Sequence, residues 1–231
     1  MKKAAFTVWF NDLVILDVWI RYYKKEFDLY VIIDQPKHLD EIAKREAEGI
    51  KFIRGEQMES VLCANEKIKE VQKDLLKDYD WVLFSNCDEI FVPDPKYKSF
   101  DELIKDKDSD YIASEAFEIV EWNEPPIDFT KPLLKQRKYW MKNYHMNKIT
   151  LSRVPLNWTE GQHRLEETTD QDTESYCDTG LYLLHLRHIN LQDDGNNPRD
   201  FGPFLHPPHN HVLTHLELQK CPMPEWVKDV I

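Results

Sequence analysis

Four short apolar runs, each stopped by polar or turn-forming residues and separated by segments of helical period, fill the first half of the chain. Residues 4–10 are β-prone and stop at Asn11-Asp12. Residues 29–33 form a second run, closed by Asp34 and then Pro36, and residues 50–53 a third, closed by Arg54-Gly55. The fourth, residues 81–84, leads straight into Ser85-Asn86-Cys87-Asp88-Glu89. Runs this short, bounded by breakers, suit strands buried on both faces of a parallel sheet. Between them, residues 13–27 place Leu13, Leu16, Ile20 and Tyr23 at helical spacing. Residues 38–48 read as a helix closed by Gly49, and residues 58–76 carry Val61, Ala64, Ile68, Val71 and Leu75 on one helical face.

A β-α-β-α-β-α-β order leaves few topologies. It predicts an α/β fold with a mostly parallel central sheet, right-handed crossovers and flanking helices. Such sheets bind ligands beyond the carboxyl ends of their strands. This sequence gathers Asn11, Asp34, Arg54 and the group from Asn86 to Glu89 at those ends. The second half is less regular. Residues 111–120, 149–154 and 181–186 read as strands, whereas the basic and aromatic segment 131–141 has no settled structure in the sequence. Beyond residue 190, prolines and histidines accumulate and irregular structure is expected.

Hydrophobic residues make up 42% of the 231-residue chain, enough for a large core. The formal net charge of -12 argues against a nucleic-acid partner, whose phosphates would be repelled. By the same argument, a nucleotide diphosphate could be held only with a divalent cation or a few placed basic groups. Cys63, Cys87, Cys177 and Cys221 lack the paired spacing of a zinc site or disulfide framework, so reduced thiols in a cytoplasmic protein are expected. Asn11, Asp12 and Asp17 interrupt what would otherwise resemble a secretory leader. No apolar stretch reaches the ~18 residues of a membrane span. The expected location is the cytoplasm, or the periphery of a membrane without crossing it.

Asn86 and Asp88 stand two apart on an extended segment and so face one ligand together. A carboxylate and an amide oxygen are hard ligands suited to Mn2+ or Mg2+. Such an ion would bridge a diphosphate and stabilise it as it leaves. The stretch Trp81-Val82-Leu83-Phe84-Ser85-Asn86-Cys87-Asp88-Glu89-Ile90-Phe91-Val92-Pro93-Asp94 resembles the D-x-D-E-F-hydrophobic segment of family-2-like glycosyltransferases with the GT-A (Rossmann-like) fold. Asn11-Asp12 followed by Leu16, Trp19 and Tyr22-Tyr23 resembles the N-E…L…W…Y-H opening of that group, with Asp34 at its acidic position after the second strand. Farther on, Lys131-Pro132-Leu133, Gly161-Gln162-His163 and Leu184-His185-Leu186-Arg187 resemble its K-P, G-x-H and H-Y/L-[RK] landmarks. The chain departs from the pattern at Asn86, where the group has its first Asp, and so loses a charge there.

The resemblance implies a nucleotide-diphosphate-sugar donor lying over the first four strands. Asp34 would accept hydrogen bonds from base or ribose, Asn11 would lie beside the nucleoside, and Asp88 would bind the metal. His163 and His185 are the candidates to complete the metal site. The sugar would pass, with inversion, to a glycan or other hydroxyl acceptor. The whole chain would be one glycosyltransferase domain: residues 1–110 the nucleotide-sugar-binding half, 111–189 the acceptor side, 190–231 an irregular extension.

An inverting transfer needs a general base in the acceptor half. Glu166 and Glu167 fall in the expected region, and Asp178 and Glu118 stay open. Arg54, Lys135, Arg137 and Lys138 are available to the diphosphate. The segment from Lys135 to Trp140 reads either as a solvated face or as a flap over the donor. Cys87 reads as packing. The cluster His206-Pro207-Pro208-His209-Asn210-His211, with His215, reads as incidental or as a transition-metal site, but it lacks the Glu of H-E-x-x-H. The alternatives are a nucleotidyltransferase, a non-catalytic nucleotide- or sugar-binding module, and a zinc-binding interaction protein. The first of these usually carries a Gly-rich basic loop after strand one, which Trp9-Phe10-Asn11-Asp12-Leu13 does not contain.

Overall fold

The computed structural model describes residues 1–9, 13–33, 39–54, 61–121, 124–159, 162–167, 179–186, 189 and 220–231. The first half alternates as the sequence predicts: β1 (Lys3–Trp9), α1 (Leu13–Tyr23), β2 (Asp28–Ile33), α2 (Leu39–Ala47), β3 (Lys51–Arg54), α3 (Val61–Leu75) and β4 (Trp81–Phe84). β1 pairs in parallel with both β2 and β4, and β2 with β3, giving the order β3-β2-β1-β4. The chain steps one way from β1 to reach β2 and β3 and the other way to reach β4. The crevice above β1 and β4 is therefore the topological switch point, where open α/β sheets hold ligands.

All seven residues of β1 are buried, which explains why only Lys3 and Thr7 interrupt its apolar sequence. Its alternating side chains serve opposite layers. Ala5 and Trp9 join a cluster with Leu16, Trp19 and Tyr23 of α1 and Ile42 of α2. Ala4, Phe6 and Val8 pack instead with Ala64, Ile68, Val71 and Leu75 of α3. Each buried Val, Leu, Ile or Phe among them contributes ~1.5–3 kcal/mol.

The second half comprises β5 (Glu89–Pro93), α4 (Phe100–Asp106), β6 (Tyr111–Ile119), β7 (Tyr139–Lys142), β8 (Lys148–Ser152), β9 (Leu181–His185), β10 (Lys220–Pro222) and α5 (Glu225–Lys228). β8 joins β4 to β6, antiparallel to each. β6 then pairs antiparallel with β7 and parallel with β9, while β10 covers β7 and β5 runs antiparallel to β9. The parallel half thus continues into an antiparallel one within a ten-stranded sheet.

Several elements go beyond the sequence reading, β5 and α4 among them. The acidic group is a tight turn, because Glu89 already opens β5. α4 is capped by Ser99, whose hydroxyl accepts from the Glu102 N–H at 3.3 Å, while the Glu102 carboxylate accepts from the Lys98 N–H at 2.7 Å. The unsettled segment 131–141 holds a 3-10 turn at Leu134–Gln136 and the start of β7. Among the described residues, no helix is long and apolar enough to cross a membrane.

Candidate functional site

The turn after β4 is built on a plate supplied by α1. The Glu89 N–H returns to the Asn86 carbonyl at 3.0 Å and closes the turn. Beneath it, the Ser85 hydroxyl donates to the Glu89 carbonyl at 2.6 Å and accepts from the Trp19 indole N–H at 3.2 Å. The Tyr23 hydroxyl accepts from the Phe91 N–H at 2.7 Å, and the Tyr22 hydroxyl donates to the Phe91 carbonyl at 3.0 Å. Burial pushes both tyrosine pKa values up, so both hydroxyls stay protonated. The Trp19 and Tyr22-Tyr23 landmark therefore holds the acidic turn from below. Cys87 packs at its edge, its thiol 3.3 Å from the Thr7 hydroxyl.

Strand register assembles the polar centre. His185 on β9 stands opposite Glu89 on β5 and opposite Glu118 on β6, so three ionisable side chains form one row. The His185 Nδ1 lies 2.8 Å from Glu118 Oε2. Its Nε2 lies 3.6 Å from Asp88 Oδ2, an ion-pair distance rather than a hydrogen bond. The Leu186 N–H donates to the Asp88 carbonyl at 2.7 Å and fastens the end of β9 to the turn. Lys148, first residue of β8, donates to Glu89 Oε1 at 2.6 Å, and the Asn86 amide donates to the same oxygen at 2.9 Å. Glu89, Glu118, Lys148 and His185 are all buried. Asp88, with 20% of its side chain exposed, is the most open of the group.

The charges set the protonation of both histidines. Burial pulls the His185 pKa down, but the Glu118 carboxylate and the Asp88 and Glu118 contacts outweigh it and push it up to about 10. Burial, and then the Lys148 ammonium, hold His163 down at about 3, so it is neutral. Its Nδ1 is buried with no hydrogen-bond partner among the described residues. The preceding Gln162 sits in the left-handed region at φ 61°, held by its bond to Asn65 of α3 at 2.9 Å.

One ligand atom from each of Asp88, Glu89 and His185 lies within 4.8 Å of the others. Two carboxylates and an imidazole form a donor set that fits a divalent cation such as Mn2+, whereas Mg2+ favours oxygen alone. His163 stands outside this group of three. Asn86 turns its amide N–H toward Glu89, where it steadies the carboxylate without adding a charge.

Among the described residues, the other sequence candidates stand outside this group of contacts. Arg54 is exposed at the carboxyl end of β3. Lys135 pairs with Asp229 at 2.7 Å on the surface. Arg137 is 1% exposed and donates to the carbonyls of Ile189 at 2.7 Å and Pro125 at 3.1 Å. Glu166 is exposed and pairs with Lys69 of α3 at 3.1 Å, and Glu167 is exposed beside it. Asn11, Asp34, Asp178 and the histidines from His206 to His215 lie outside the described residues. The structure thus brings together Asn86, Asp88, Glu89 and His185 from the strand-end and metal candidates with Glu118, a general-base candidate, and adds Lys148. Lys148 carried one sequence signal: a lone charge opening the otherwise uncharged Lys-Ile-Thr-Leu-Ser strand.

No protein-family model matches the chain, and no curated protein matches it. The solved structures similar to it include the following two. A mannose-1-phosphate geranyltransferase from Thermus thermophilus shares 8% identity over 80% of this chain, with a TM-score of 0.34. This chain spans 58% of the length of that protein. A 4-diphosphocytidyl-2C-methyl-D-erythritol synthase shares 9% identity over 95% of this chain and 100% of its own, with a TM-score of 0.41.

Proposed function

We propose that the chain is a transferase acting on a nucleotide-activated sugar, with a divalent cation, preferably Mn2+, held by Asp88 and His185 at the switch point of the sheet. The observation that carries this reading is the placement of Asp88, Glu89 and His185 within 4.8 Å of one another at the end of β4. When bound, the cation would neutralise the charge that develops on a departing diphosphate. The chain's own residues divide the remaining work. Asp88 is the ligand open to the crevice, and His185 reaches the same point from β9. Glu89, tied to Lys148 and Asn86, sets the shape of the turn. Transfer of the sugar to a hydroxyl acceptor is the favoured reaction because the acidic turn, the Trp19 and Tyr22-Tyr23 plate and His185 are the residues of the glycosyltransferase resemblance. Asn11 and Asp34 belong to the nucleoside end of that proposal, Arg54 to its diphosphate end, and Glu166 or Glu167 to the acceptor side.

Nucleotidyl transfer is the second reading, because the same cation and crevice would serve it. The names of the two similar structures, one containing a sugar 1-phosphate and the other a diphosphocytidyl group, fall nearer to it. Products separate the two. Glycosyl transfer releases a nucleoside diphosphate from a nucleotide-sugar. Nucleotidyl transfer releases pyrophosphate from a nucleoside triphosphate and a sugar 1-phosphate. The experiment is a panel of both substrate classes with and without Mn2+, on wild type and Asp88→Ala. Nucleoside diphosphate release that needs Mn2+ and Asp88 supports the first reading. Pyrophosphate release supports the second, and donor binding without any turnover identifies a binding module.

A further inference from the structure

We infer that Glu118, steadied by Asn143, is a positioning residue that fixes the imidazole of His185 for cation binding. The inference rests on the cation site proposed above and concerns how that site is oriented. An imidazole has two nitrogens, and the partner of one decides what the other can do. Here the partner of Nδ1 is Glu118 at 2.8 Å. A carboxylate there holds a proton on Nδ1, so a cation that displaces the Nε2 proton meets a lone pair already directed at the space shared with Asp88.

The contact is built into the backbone. β6 and β9 run in parallel with Glu118 and His185 in register, so sheet pairing itself delivers the acceptor. Glu118 is 2% exposed, which keeps water from competing for Nδ1. Its second oxygen accepts from the Asn143 amide at 3.0 Å. The Asn143 main-chain N–H in turn donates to the carbonyl of Ala116, two residues earlier on β6, at 2.9 Å. Asn143, Glu118 and His185 thus form a relay from the β7–β8 connection through β6 to β9. With both carboxylate oxygens engaged inside the sheet, Glu118 faces the histidine. Its role is orientation.

The test titrates Mn2+ alone into wild type, Glu118→Gln, Asn143→Ala and Asp88→Asn, with bound ion read by electron paramagnetic resonance. Asp88→Asn should abolish the site. Glu118→Gln should weaken Mn2+ binding by ~10–100-fold, the range seen when outer partners of a ligating histidine are removed. Asn143→Ala, which leaves Glu118 in place, should weaken it several-fold, and it decides the matter if Glu118→Gln does not fold. Nitrogen-15 spectra of histidine-labelled wild type loaded with Zn2+, a diamagnetic ion that accepts imidazole, give an independent readout, with the proton expected on Nδ1 of His185. Wild-type affinity in both Glu118→Gln and Asn143→Ala, alongside loss in Asp88→Asn, would overturn the positioning role and leave the cation site standing. In the cation-loaded protein, a proton on Nε2 with Nδ1 bare would also overturn it. Absence of any Mn2+ binding by wild type would remove the site and the inference together.

Discussion

Replacing Lys148 by methionine removes one charge from a pair that water does not reach. The Lys148 and Glu89 side chains are 2% and 1% exposed, with Nζ and Oε1 2.6 Å apart. Methionine matches most of the lysine stem, so the change is chiefly electrostatic. Among the described residues, Glu89 would keep the Asn86 amide at 2.9 Å and the longer Asn86 N–H contact at 3.4 Å. An uncompensated buried charge of this kind costs about 3–5 kcal/mol. In a domain of this size, 1 kcal/mol corresponds to about 2–4 °C, so Tm should fall by about 6–20 °C. Glu89→Gln should cost a similar amount by stranding the ammonium. The double variant Glu89→Gln/Lys148→Met carries neither charge and should be more stable than either single variant, with a coupling of at least ~3 kcal/mol. Urea unfolding of the four proteins at neutral pH measures the cycle. A loss below about 1 kcal/mol for Lys148→Met, or simple additivity in the double variant, would refute the claim that this pair fixes the acidic turn.

Three further outcomes follow from the same geometry. Gln72 of α3 is fully buried and bridges the Ser152 hydroxyl at 2.9 Å and the Leu156 N–H at 2.8 Å; Gln72→Leu should cost about 1–3 kcal/mol in urea unfolding. His163, held at about 3 against an ordinary 6.5, is neutral in the fold and protonated in the unfolded chain at moderately acid pH. Its contribution to stability is therefore full above pH 6.5 and is lost as pH falls toward 3, by up to ~1.4 kcal/mol per pH unit. Urea midpoints between pH 7 and 4 should drop more steeply for wild type than for His163→Gln, and parallel curves would remove this account. Ser85→Ala deletes the acceptor of the Trp19 indole and the donor to the Glu89 carbonyl, so it should cost about 1–3 kcal/mol and also weaken Mn2+ binding. Calorimetry alongside unfolding checks both parts.

The parallel half was legible because strands covered on both faces must be largely apolar, as β1, β2 and β4 are, whereas the half-exposed β3 (Lys-Phe-Ile-Arg) is marked by the breakers around it. α4 was legible in principle from Ser99 and Glu102, three apart as in a capping box, although the surrounding charges hid it. β5 was not. Its first residue is a glutamate that reads as part of a polar turn, and only pairing with His185 far along the chain makes it a strand. β7 was equally hidden, since it is covered by Lys220–Pro222 from the opposite end of the sequence. Arg137 misled for a related reason. A basic residue in a basic stretch reads as solvated or phosphate-binding, and nothing local foretells its carbonyl partners at Ile189 and Pro125. Asp88 and His185 were recognisable as chemical types at strand ends, but the roles of Lys148, Glu118 and Asn143 come from register and burial.

The acidity of the chain, which at first sight opposes a polyanionic ligand, acquires a use at this centre. Asp88, Glu89 and Glu118 face Lys148 and His185. With a neutral imidazole, three formal carboxylate charges against one ammonium leave two negative charges, the complement of one divalent cation. With a protonated imidazole, the ring fills the same gap in part and keeps Asp88 and Glu118 together. Lys135 and Arg137 sit in contacts elsewhere and add no positive charge here. A diphosphate approaching this centre without a cation would therefore meet net repulsion. Nucleoside diphosphate binding should vanish in EDTA and return with Mn2+, and Mn2+ should bind before the nucleotide. Calorimetric titrations in both orders test this sequence. Nucleotide affinity indifferent to EDTA would mean that the phosphates are held by basic residues instead, with Arg54 at the end of β3 the first to replace.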